Sequence, residues 1–305
     1  MSERALKQLV GALAVVIAVW GVATVVQGGS GSGSIEASGE IASYFDGLGS
    51  ESVTEVRVER SGEAVVLRRE EGRWTANGHA GDAAAIAGLL ESLTVAEVGD
   101  LTATNPDNHA RMGVTADSAY VMTVSTAAGE RTLLVGKSGR RFGTAYVRLP
   151  DDDDVYLLEG DVRAQLGRDV DFWRDRTIVA IDTASVASVV VDHEGASYTL
   201  ERGDTAWTFG GGGAVTASAV TGVLSELTAM MASGFLTETD SVAGAPQAAA
   251  VRALDADGAL LAEVRFGAGE VDRWARAAGN DVLYRVSNFR VMRAAPERTA
   301  VEPES

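Results

Sequence analysis

Four consecutive aspartates, Asp151 to Asp154, bring enough carboxylate together to suggest calcium. Calcium loops alternate their ligands and place a glycine at the sharp bend. Adjacent aspartates point in different directions, so the run reads as a solvated turn at a hairpin tip. His79, His109 and His193 are scattered, with no pair at ligand spacing, and the chain has no cysteine. Zinc and thiol chemistry are therefore not expected, nor is any cofactor.

Three other stretches carry side chains that could do chemistry. "FGGGGAV" (209–215) precedes a helix start, where anions can bind, but it holds no basic residue and reads as a loop feeding that helix. Trp74 and Trp207 each sit in a Trp-Thr pair and could stack on a sugar or peptide. Their equivalent places in a repeat make packing the simpler reading. "GRDVDFWRDR" (167–176) interleaves three arginines with three aspartates around Phe172 and Trp173. Phe172, Trp173, Arg174 and Arg176 are the candidate partner surface, because Trp and Arg are favoured in binding hot spots. The same balanced charges would also serve as a staple between two repeats. No nucleophile elbow, zincin or Walker motif occurs, so the chain is not expected to be an enzyme.

The elements that must position these residues come in two copies. Residues 53–75 and 186–208 align without a gap at an offset of 133, with eight identities in 23 positions. In each copy alternating valines predict a half-buried strand, Gly62 or Gly195 predicts the turn, and a second strand leads to the Trp. Ile86, Leu89, Leu90 and Leu93 then mark one apolar helix face, matched by Val220, Val223, Leu224 and Leu227. Asp82 and Thr216 are suitable N-caps. Further strand–turn–strand patterns follow over 120–136 and 250–267. Residues 146–158 match 274–286. The fold class is α+β: two homologous repeats of mainly antiparallel strands, each with one principal helix, preceded by a transmembrane helix.

That transmembrane helix is expected at Leu9–Val26, 18 residues without a charge. As a helix the run would be about 27 Å long, close to the bilayer hydrocarbon. Arg4 and Lys7 precede it and the next basic residue is Arg57, so the N-terminus should stay in the cytoplasm. The full reading is a cytoplasmic tail (1–8), a membrane anchor (9–26), a Gly/Ser-rich tether (27–52), repeat one (53–175), repeat two (176–295) and a disordered tail (296–305). The protein would be single-pass in the inner membrane, with most of it extracytoplasmic or periplasmic. Acidic residues number 43 against 26 basic, a net charge of -17, which argues against nucleic acid as a partner.

The order anchor, hairpin, Trp, helix, "YVR…VYLL" and "DFWRDRTIVAID" resembles a family of bacterial envelope proteins known only as a domain of unknown function. Such proteins are often encoded beside ABC transporters of the gliding-motility-auxiliary type. The resemblance implies partners among ABC permease and ATPase subunits and brings no catalytic residues. The expected function is a membrane-anchored extracytoplasmic binding or scaffold protein, an accessory subunit of an ABC-type transport or envelope machine. The alternatives are an envelope polysaccharide or peptide hydrolase using Asp/Glu and a periplasmic small-ligand receptor. Association into homo-oligomers is left open.

Overall fold

A computed structural model of the chain describes residue 37 and residues 39–303. The expected tail 1–8, anchor 9–26 and Gly/Ser run 27–34 lie outside the described residues. Among the described residues no helix is long and apolar enough to cross a membrane.

Mostly antiparallel strands with a few helices make the fold α+β. The first strands are β1 (Val53–Arg60) and β2 (Glu63–Glu70), then β3 (Arg73–Ala76) and β4 (His79–Ala80). After the helix Ala83–Thr94 come β5 (Glu97–Ala103), β6 (Tyr120–Thr126), β7 (Gly129–Ser138), β8 (Thr144–Arg148) and β9 (Val155–Glu159). A short β10 (Thr177–Val179) precedes the second set: β11 (Ser188–His193), β12 (Ala196–Arg202) and β13 (Trp207–Phe209). The helix Ala217–Thr228 follows, then β14 (Met230–Met231), β15 (Gly234–Phe235), β16 (Gln247–Leu254), β17 (Leu260–Gly267), β18 (Asp272–Ala277) and β19 (Tyr284–Ser287).

The chain divides into two compact units. The first takes the described residues up to Arg68 together with Ala87–Arg168, and its sheet runs β2-β1-β6-β7-β8-β9-β5. The second takes Arg69–Ile86 and the chain from Asp169 onward, and its sheet runs β13-β12-β11-β16-β17-β18-β19-β15. From β12 to β15 the second order repeats the first strand for strand. Register repeats too. Val56 faces Leu67 and Val58 faces Val65 in one unit; Val189 faces Leu200 and Val191 faces Tyr198 in the other. The turns agree in backbone: Ser61 and Gly62 have φ of 54° and 86°, Glu194 and Gly195 of 48° and 84°. Two successive positive φ values make the turn whose twist matches antiparallel strands, which is why a glycine recurs there.

Unit boundaries differ from the sequence repeats. Residues 69–86 group with the second unit because they are bonded to the crossing segment after Asp169. Asp82 N donates to Trp173 O at 2.8 Å and Asp175 N to Ala80 O at 2.8 Å, while Gly81 bridges Arg174. These backbone bonds form an extra strand-like pairing that hydropathy could not reveal.

Both helices bury the expected faces. Ile86, Leu89, Leu90 and Leu93 are buried, as are Val220, Val223 and Leu227, and Leu224 packs partly buried against the second core. Each such side chain is worth about 1.5–3 kcal/mol of burial. The caps differ. Asp82 Oδ1 accepts from Ala84 N and Ala85 N, both at 3.0 Å. Thr216 makes no side-chain cap; its hydroxyl donates to Glu302 O at 3.1 Å and its N–H to Val301 O at 2.8 Å.

Two expected irregular segments are structured where described. Within the tether assigned to 27–52, Ile41, Tyr44, Phe45 and Leu48 are buried. Tyr44 OH donates to Arg131 O, and Arg131 Nη1 donates to the carbonyls of Ser43, Tyr44 and Asp46. The apolar side chains of "IASYFDGL" outweigh the glycines around them. The tail assigned to 296–305 holds the helical turn Arg298–Val301, with Val301 fully buried. Its polar composition hid one apolar anchor and the backbone bonds to Thr216.

Candidate functional site

The expected partner surface turns mostly inward within the second unit. Asp169 caps the short helix Val170–Trp173 by accepting from Phe172 N at 2.9 Å. That turn buries Trp173 to 2% exposure, with Phe172 packed edge-on at 4.9 Å. Arg174 is 13% exposed in its side chain. Its guanidinium lies 3.5 Å from the Phe235 ring centre and pairs with Asp171 at 3.1 Å. Arg176 is half-buried, and its carbonyl accepts from Ala232 N at 2.7 Å. Through these contacts the segment ties the β3–β4 hairpin to β15 inside the second unit.

Trp207 is half-buried against the core of the second unit, with Arg202 5.1 Å above its ring. Trp74 is also half-buried, and its carbonyl accepts from Gly81 N at 2.9 Å. Both are less enclosed than core anchors, and Trp207 packs against the second core. The glycine loop is a bonded turn: Phe209 N donates to Gly213 O and Gly212 N to Phe209 O.

Asp151 to Asp154 occupy the turn between β8 and β9, as the sequence implies. Asp152 Oδ1 accepts from Asp154 N at 3.0 Å, and Arg148 Nη1 donates to the carbonyls of Leu149, Pro150 and Asp152. His109 Nε2 lies 2.8 Å from Asp153 O. Among the described residues no group of three or more His, Cys, Asp or Glu converges as metal ligands. His79 titrates below the usual imidazole value, first because burial disfavours its charge and then because Arg174 repels it. Buried His193 holds the C-terminal segment, with Nδ1 2.6 Å from Ala295 O.

A different feature recurs in both units and was missed in the sequence. The loop between β7 and β8, "GRRFG", carries Phe142 fully exposed, with exposed Arg140 and Arg141 beside it. It borders a cleft of ≈ 280 Å³ shared with Asp161, Arg163 and Ala164 at the start of the helix Val162–Leu166. The equivalent loop between β17 and β18 carries Val271 at 77% exposure. Asn288 N donates to Val271 O at 2.7 Å, which sets Phe289, 69% exposed, beside it on the helix Asn288–Ala294. Each unit therefore presents large apolar side chains at the same place, where a strand loop meets the helix after the last long strand. Phe142 between arginines and glycines in a turn was the available signal, because it belongs to no alternating or helical pattern.

The sequence matches the family model described as a domain of unknown function (DUF4340) over residues 74–249, more than half of the 305-residue chain. No curated protein and no solved structure matches it.

Proposed function

Since the chain belongs to the DUF4340 family, whose description leaves function open, we propose a role from its own surface: a membrane-anchored, extracytoplasmic binding or scaffold protein serving a transport or envelope machine. The observation that carries this reading is the recurrence of exposed Phe142 in one unit and of Val271 with Phe289 in the other. What supports a partner surface is their recurrence at equivalent places in the two units and, at Phe142, the arginines beside it, a residue type favoured in binding hot spots. The uncharged run Leu9–Val26 supports the anchor, and Arg4 and Lys7 before it support a cytoplasmic N-terminus. The ABC-type permease and ATPase are the partners of choice on the strength of the resemblance alone.

The test is purification of the full-length protein from native membranes in mild detergent, with mass spectrometry of what accompanies it. Wild type should bring membrane transport subunits at near-stoichiometric yield. Phe142→Ser, and Val271→Ser with Phe289→Ser, should each reduce that yield. Recovery of the protein alone after gentle crosslinking would sink the reading and direct attention to ligand or hydrolase screens of the intact chain.

A further inference from the structure

The first unit has two chemically opposite ends. At one end, Arg131 near the start of β7 lines a cleft of ≈ 630 Å³. Its rim carries Glu40, Glu130, Asp151 and Asp152, and its wall includes Leu149 and Pro150. The Arg131 guanidinium is taken up by three backbone carbonyls, so the rim carboxylates dominate the mouth. Among the described residues no ion pair engages Glu40 or Asp151.

At the other end of β7, Ser138 leads into the tip bearing Arg140, Arg141 and Phe142. More cationic groups gather there. Arg60 donates to Tyr120 OH at 2.6 Å and stands 4.4 Å over its ring, and Arg163 lies 5.9 Å from the same ring. Arg141 pairs with Glu159, while Arg140 has no ion pair among the described residues. The tip sets two adjacent arginines and an exposed aromatic beside Asp161 on a chain of net charge -17.

We infer that this tip docks into the acidic cleft of a second copy of the chain, joining copies head to tail. The match is chemical on three counts. Arg140, with Arg141 exchanging Glu159 for the rim, meets the cleft carboxylates, a phenyl ring faces Leu149 and Pro150, and the cleft has room for a phenyl ring and its flanking side chains. The contact must form between copies. Arg131 and Ser138 are seven residues apart along one strand, about 23 Å, so a unit cannot reach its own cleft. Because the two surfaces differ, the contact is heterologous and generates rings or open chains instead of closed dimers. The inference rests on the binding reading above and names a second copy as the partner of the Phe142 tip.

The association would depend on salt, since the net charges repel and only the local contact attracts. It is tested by a charge-swap mixing experiment on full-length protein in detergent, read by sedimentation and crosslinking over the micromolar range. One variant reverses the tip (Arg140→Asp with Arg141→Asp), the other reverses the cleft rim (Glu40→Arg with Asp151→Arg). All four positions are exposed, and unchanged melting curves confirm folding. Wild type should form concentration-dependent oligomers. Each variant alone should lose association by about tenfold or more, and an equimolar mixture of the two should regain it. Wild type that stays monomeric, oligomers indifferent to both reversals, or a mixture that fails to recover would each overturn the inference. Tip-dependent binding to anionic phosphatidylglycerol vesicles by a monomeric protein would also overturn it and reassign the tip to a lipid surface. Transport subunits that still co-purify with a monomeric wild type would leave the binding reading standing while the head-to-tail contact falls.

Discussion

The guanidinium of Arg174 stacks 3.5 Å from the ring centre of Phe235, while the backbone of Arg174 bridges Gly81. One residue thereby joins the end of the β3–β4 hairpin to β15 within the second unit.

This stacking should be measurable as a coupling. Arg174→Ala and Phe235→Leu are each expected to destabilise by about 1–2 kcal/mol, and the double variant by less than the sum. Lysine at 174 should rescue only part of the loss, because it lacks the flat guanidinium that lies on the ring. Urea denaturation of wild type and these four variants checks this, and strictly additive effects would show that the ring contact contributes nothing.

Two glycines at matching positions should tolerate no side chain. A Cβ on Gly136, in β7, would meet Met112 O at 2.5 Å, and one on Gly267, ending β17, would meet the Trp274 Nε1 at 2.1 Å. Gly136→Ala and Gly267→Ala are each expected to cost about 1–3 kcal/mol by overpacking. Gly88→Ala is the control, since nothing lies within 4 Å of its Cβ position. Thermal melts that rank the control with the other two would refute the packing argument.

The C-terminal segment should stabilise the second unit. Tyr198 OH donates to Pro296 O at 2.8 Å, and Val301 is fully buried. Burial also pushes the Tyr198 phenol above its usual range, so it stays a donor into alkaline solution. Val301→Ala should cost about 1–3 kcal/mol and Tyr198→Phe about 1 kcal/mol. Removing residues 296–305 should lower the melting temperature more than either change. A truncated chain that melts like the full one would mean the segment merely rests on the unit.

Asp240 sets an acid limb. The backbone N–H of Thr237 at 2.8 Å and its hydroxyl at 2.9 Å, followed by Arg285 at 3.1 Å, hold the carboxyl below its ordinary value. A carboxylate with a depressed folded-state value binds fewer protons folded than unfolded. Its contribution is complete above the unfolded value of 3.8 and is lost as pH falls through the folded value. Asp240→Asn should therefore lower stability at neutral pH and flatten the decline below about pH 4. Equal pH slopes for the two proteins would dismiss this role.

Much of this molecule is legible in its sequence. Alternating valines in β1 and β11, glycines 62 and 195, and the two matching helix faces determined strands, turns, helices and the duplication, because each is a local pattern with its own period. Tertiary structure alone decided what long-range bonds decide. It buried Trp173 and turned Arg174 onto Phe235, where composition had offered a partner surface. It drew residues 69–86 into the second unit through two short backbone hydrogen bonds and a β-bridge. It also left Phe142 in water, because whether a turn residue is covered depends on what folds over it, and no periodicity encodes that. The anchor at Leu9–Val26 remains a statement of the sequence: its warrant is 18 uncharged residues matched to the thickness of a bilayer.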